Sequence, residues 1–94
     1  MEADTIPPVI TSCPDSSTKI LPFGSTSISV TWVEPTATDN SGIDPAVTQS
    51  HTPGDTFSMG TTLITYSFAD LGGNEVVCTF TISVGRYYYM GKFS

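Results

Sequence analysis

Thr62-Leu63-Ile64-Thr65-Tyr66-Ser67-Phe68-Ala69-Asp70-Leu71-Gly72-Gly73-Asn74-Glu75-Val76-Val77-Cys78-Thr79-Phe80-Thr81-Ile82-Ser83-Val84 alternates apolar and polar side chains on both sides of a short turn-forming segment. Ile64, Tyr66 and Phe68 share one side of the first half. Val76, Cys78, Phe80, Ile82 and Val84 share one side of the second, with Thr79, Thr81 and Ser83 opposite them. A period of two in β-branched and aromatic residues marks half-buried antiparallel strands. Between the runs, Gly72 and Gly73 permit positive φ, and Asp70 and Asn74 can bond backbone amides through their side chains. The stretch therefore predicts a β-hairpin.

The same period extends outward. In Ser27-Ile28-Ser29-Val30-Thr31-Trp32 the apolar side chains fall at Ile28, Val30 and Trp32 with hydroxyls between them. Strands are predicted at residues 9–13, 26–33, 46–51, 56–58, 62–69 and 75–84, with a further short one near 20–23. No stretch carries a helical period. Six or seven short strands separated by turns predict an all-β chain folded as an antiparallel sandwich of two sheets. Its expected core is Ile28, Val30, Trp32, Ile64, Tyr66, Phe68, Val76, Phe80 and Ile82, with Trp32 on the inward face of a central strand. Phe57 and Met59 read as a packed edge, and Pro7-Pro8 as a stiff, extended lead-in.

Ninety-four residues make one small domain. A chain of this size buries only about 60–65% of the surface it exposes when unfolded, so a crosslink matters. Cys13 and Cys78 are the two cysteines. They read as a structural disulfide in an oxidising compartment, the alternative being two free thiols in a cytosolic domain. A zinc site would need further Cys or His ligands, and only His51 is available. The formal net charge is −6, and the basic residues are Lys19, Arg86 and Lys92. Without a Lys/Arg cluster the chain is a poor candidate for nucleic acid or anionic membrane surfaces. No apolar run is long enough to span a bilayer as a helix. No secretory leader is visible, and the polar start reads as a piece of a longer protein.

Chemistry finds little purchase. His51 stands beside Pro53-Gly54 with no nucleophile elbow around any serine, and Gly72-Gly73 lacks the lysine and helix of a phosphate loop. The chain reads as non-catalytic. Glu34, Asp39, Asn40 and Asp44 crowd one loop, while Asp70, Asn74 and Glu75 sit at another. Oxygen donors of these kinds suit calcium, so these seven are candidate ligands of a weak site, against a reading in which they form turns and keep the surface soluble. No other cofactor is indicated. Ile43-Asp44-Pro45 offers an acid at a loop tip, and Tyr87, Tyr88 and Tyr89 an aromatic tail. Both are candidate partner-binding features.

The run Glu34-Pro35-Thr36-Ala37-Thr38-Asp39-Asn40-Ser41-Gly42 completes an ordered set. It is preceded by Pro7-Pro8-Val9-Ile10, Cys13-Pro14 and Val30-Thr31-Trp32. It is followed by Gly54-Asp55-Thr56-Phe57, Gly60-Thr61-Thr62, Asp70, Gly73-Asn74 and Cys78-Thr79-Phe80-Thr81. As a set this resembles the hyalin repeat (HYR) domain over residues 5–84, departing from the usual pattern at Leu71-Gly72 and in the Tyr-rich tail. Residues 1–4 and 85–94 then read as linkers, the latter partly disordered. The resemblance implies an immunoglobulin-like or fibronectin type III-like sandwich with one disulfide. It also implies a secreted or surface-exposed parent protein, in which such modules occur as tandem repeats or beside sushi domains. The expected function is adhesion or protein–protein interaction, with an extracellular protein, a surface receptor or neighbouring repeats as partner. A carbohydrate-binding module or a purely structural spacer is the alternative.

Overall fold

The computed structural model describes residues 6–86, and eight strands lie among them. They are β1 (Val9–Ser12), β2 (Ser17–Leu21), β3 (Ser27–Ser29), β4 (Thr36–Thr38), β5 (Ala46–Gln49), β6 (Thr56–Ser58), β7 (Gly60–Ala69) and β8 (Glu75–Arg86). One layer is a four-stranded sheet in the order β2-β8-β7-β5; two ladders, β1–β4 and β3–β6, form the other.

The β7–β8 hairpin is the spine. It pairs antiparallel without interruption from Ala69↔Glu75 at the turn to Gly60↔Val84 at the far end. Its inward face supplies Ile64, Tyr66, Phe68, Cys78, Phe80, Ile82 and Val84, which join Leu21, Val30 and Phe57 in the buried core. Each such aliphatic or aromatic side chain contributes about 1.5–3 kcal/mol on burial. Ile28, Trp32 and Val76 pack against this core from half-buried positions.

Several features depart from the sequence reading, among them β8, which runs two residues beyond the predicted 75–84. The expected strand over 26–33 shortens to Ser27–Ser29. Beyond it the backbone turns to the 53–55 loop, with Val30 N donating to the Asp55 carbonyl at 3.0 Å and Gly54 N to the Val30 carbonyl at 2.8 Å. Pro35 then removes one ladder donor, so Trp32 sits on an irregular segment rather than a central strand. Another departure is β2, which pairs with β8 in parallel, Ser17↔Ile82 through Leu21↔Arg86. The chain leaves β1 in one layer, passes the cysteine, and joins the other layer running in the same sense as β8. The sandwich is thus mixed at this edge. Thr36–Thr38, outside every predicted strand, pairs with β1 as β4. Met59 is half exposed, whereas Phe57 beside it is buried.

The Cys13–Cys78 disulfide ties the end of β1 to β8 with the Cα atoms 5.8 Å apart. Cys78 is buried and Cys13 is exposed, so the bridge reaches from the core to the surface.

Candidate functional site

Strand directions give the molecule two poles. The hairpin turn at 70–74, the 39–45 loop between β4 and β5, and the start of β1 lie at one end, the amino pole. This follows from Ala46↔Ala69 and Val9↔Thr38. The opposite, carboxyl pole holds the end of β8 at Arg86, the turn after β2, and Met59 before β7, through Leu21↔Arg86 and Gly60↔Val84.

The candidate carboxylates divide accordingly. Asp39 Oδ2 accepts from Ser41 N at 3.2 Å and the Asp39 carbonyl from Gly42 N at 3.0 Å, closing a turn. Its Oδ1 is buried and makes no hydrogen bond among the described residues. Asp70 Oδ1 accepts from Gly72 N and Asn74 N, both at 2.9 Å, and Oδ2 from Asn74 Nδ2 at 3.0 Å. Asn74 is thereby held in the same turn, which closes through Asp70 N donating to the Asn74 carbonyl. Only Gly73 of the two glycines adopts positive φ, at 88°, as a three-residue loop with a final left-handed position requires. Asn40 and Asp44 are exposed in the 39–45 loop, with Ile43 beside Asp44 also exposed. Glu75 accepts from Ser67 Oγ across the hairpin. Among the described residues no three His, Cys, Asp or Glu side chains converge on a position for a metal ion. Tyr87, Tyr88 and Tyr89 lie outside the described residues.

Glu34 stands apart from the other acids in a network that sequence reasoning missed. Trp32 Nε1 donates to Tyr66 Oη at 2.8 Å, and Tyr66 Oη donates to Glu34 Oε2 at 2.9 Å. Gln49 Nε2 also donates to Glu34 Oε2, at 3.1 Å, and to the His51 carbonyl at 2.9 Å. Three segments are joined here: the irregular 30–35 stretch, β7 and the end of β5. Burial raises the Tyr66 phenol pKa above its ordinary 10.0, with the bond to Glu34 and that residue's charge adding to the rise; the Trp32 bond opposes it. The one signal in the sequence was the two-residue spacing of Trp32 and Glu34, which would place them on one side of a strand; the segment is irregular, and the network brings them together instead. Trp32 also meets Phe57 and Phe80 edge-on, with centroids 6.2 and 5.6 Å away. Its indole is therefore committed to the core.

Outside the core, the four-stranded sheet turns hydroxyls to the surface. Thr61 and Ser83 pair across the strands at 3.2 Å, and Thr65 stands opposite Thr79. His51 leans on Phe57, and its Nδ1 pairs with Ser50 Oγ at 2.7 Å, so its ring belongs to a strand-end contact.

A family model described as the HYR domain matches residues 3–84. Hyalin of Strongylocentrotus purpuratus is 42% identical over 84 residues, covering 89% of this chain and 7% of that protein. Hyalin of Lytechinus variegatus is 45% identical over 84 residues, covering 89% of this chain and 16% of that protein. A Rattus norvegicus protein named sushi, von Willebrand factor type A, EGF and pentraxin domain-containing protein 1 is 42% identical over 53 residues, 56% of this chain and 2% of its own length. The chain thus spans a small fraction of each of these relatives. No solved structure matches it.

Proposed function

The chain belongs to the HYR domain family, and on that premise we propose that it is a non-catalytic extracellular module for adhesion or protein–protein contact within a larger secreted or surface protein. The observation that carries the reading is the family match across 3–84 together with the hyalin identity over most of the chain. The Cys13–Cys78 bridge supports it, since such bonds persist in oxidising compartments. The outer sheet face, where the hydroxyls of Thr61, Thr65, Thr79 and Ser83 alternate with exposed Leu63 and Val77, and the acidic amino pole make a surface suited to protein contacts rather than to polyanions. Asp44 at its loop tip is the acid we assign to partner contact. Any calcium at the amino pole binds no tighter than the weak extracellular range of about 10⁻⁴–10⁻³ M, because its carboxylates serve as turn caps rather than as a cage.

The test is attachment of cells to surfaces coated with the native chain, beside surfaces coated with an inert carrier protein. Saturable, coating-dependent attachment is expected, reduced by Asp44→Asn. Attachment no greater than to the carrier would overturn the adhesive reading and leave the module a spacer.

A further inference from the structure

Among the described residues the most exposed apolar side chains are Phe23, Leu71 and Val33, with relative exposures of 105%, 84% and 83%. Isolated surface apolar residues are ordinary, but Phe23 and Leu71 are tips of hydrogen-bonded turns at opposite poles. Phe23 occupies the Pro22–Ser25 turn, closed by Ser25 N donating to the Pro22 carbonyl at 2.9 Å. Gly24 takes φ 87° behind it, and Arg86 Nη2 donates to the Ser25 carbonyl at 3.1 Å. Leu71 rides the Asp70-capped hairpin turn. Met59 adds a half-exposed side chain at the carboxyl pole and Ile43 one at the amino pole. Charge divides in the same way. The two basic residues among the described ones, Lys19 and Arg86, stand on β2 and β8 toward the carboxyl pole, whereas Asp39, Asp44 and Asp70 occupy the amino pole.

We propose that the carboxyl pole of one copy of this domain docks on the amino pole of the next, Phe23 and Met59 meeting Leu71 and Ile43 while Arg86 faces Asp44. The inference rests on the module reading and names its partner: a second domain of this kind. Residue 6 lies at the amino pole and residue 86 at the carboxyl pole, so the chain runs through the domain from one docking face to the other. The contact is heterologous: unlike surfaces meet, and the arrangement propagates in a line rather than closing as a two-fold dimer. The hydrogen bonds that close both turns fix the backbone beneath the apolar tips and so lower the ordering cost of the contact. Opposite charges align the two ends and make it sensitive to salt.

The test is sedimentation velocity on the 94-residue chain from micromolar to millimolar concentration, with Phe23→Ser and Leu71→Ser variants. The unsubstituted chain should associate in an open series that added NaCl weakens. Each variant alone should lose about tenfold or more in association constant, the effect of removing a central anchor. An equimolar mixture of the two should form a 1:1 pair that grows no further, because one variant keeps an intact amino pole and the other an intact carboxyl pole. Both side chains are exposed, so unfolding midpoints should not move; Asp44→Asn, which removes charge from a loop, provides a second variant expected to weaken association and flatten its salt dependence. A chain that stays monomeric to millimolar concentration overturns the proposal. So does either serine variant that associates alone as the unsubstituted chain does, or a mixture that fails to pair. The two serine variants leave Asp44 in place, so their outcomes are separate from cell attachment, which tests the module reading; Asp44→Asn is common to both tests and does not distinguish them.

Discussion

Tyr66→Phe removes one oxygen and tests the network that joins β7 to the 30–35 segment. The ring stays in the core, where Tyr66 is 1% exposed and stacks on Phe80 with centroids 6.4 Å apart, so no cavity of consequence opens. What is lost is the acceptor for Trp32 Nε1 at 2.8 Å and the donor to Glu34 at 2.9 Å. A hydrogen bond to a charged group contributes about 1.5–3 kcal/mol and a neutral one about 0.5–1.5. Glu34 is exposed and keeps Gln49, so much of its share is recovered by water. The indole N–H is half-buried and is left without its acceptor, at a cost of about 1–3 kcal/mol. The expected destabilisation is about 2–3 kcal/mol, measured by urea unfolding at pH 7 and followed by the emission of the single tryptophan. The pH dependence supplies a second readout. The phenol pKa is raised in the folded state, so between the unfolded and folded values the unfolded chain binds fewer protons and stability falls as pH rises. The Tyr66 contribution is complete below about pH 10 and is lost above it, and the phenylalanine variant should lack that part of the alkaline decline. A change below about 0.5 kcal/mol, the usual range for a neutral surface substitution, with an unaltered alkaline profile, would refute the network's role.

Three further outcomes are expected. Reduction of Cys13–Cys78 should cost about 2–5 kcal/mol, the loop-entropy figure for a separation of 65 residues being near 4 kcal/mol; two titratable thiols in the native protein would contradict the bridge. Trp32→Ala should cost about 3 kcal/mol, the low end for an aromatic truncation because the indole is half-buried, and iodide should quench its native emission only partly. Adding CaCl₂ or MgCl₂ at matched ionic strength should give small amide shifts; saturable, calcium-selective shifts at 39–44 and 70–74 below millimolar concentration would show a tighter site than the turn caps suggest.

The β7–β8 hairpin was legible because its alternation is long and its turn chemistry local, so each residue announces its face without reference to anything distant. The core positions on that hairpin follow from the same parity. What escaped was set by contacts remote in sequence. Ser17–Leu21 has weak alternation, and its parallel partner lies 65 residues away. Thr36–Thr38 is too short to be separated from its flanking turn residues until β1 is seen beside it. Trp32 has inward parity, but the strand around it is interrupted by the 53–55 loop, which no local pattern foretells. Glu34 looked like one of several loop carboxylates. Its engagement with Tyr66 depends on two segments 32 residues apart meeting at the edge of the core. Met59 followed Phe57 in parity, yet the chain bends there and leaves it outside.

The passage of the chain from β1, across the disulfide, into a β2 that runs parallel to β8 builds the two layers and sets the two poles apart. Interstrand amide and Hα nuclear Overhauser contacts between residues 17–21 and 82–86 test it most directly. A parallel pattern is expected, Ser17 beside Ile82 advancing in step to Leu21 beside Arg86, with β7 on the other side of β8. An antiparallel pattern, or residues 17–21 paired with any strand other than β8, would contradict it.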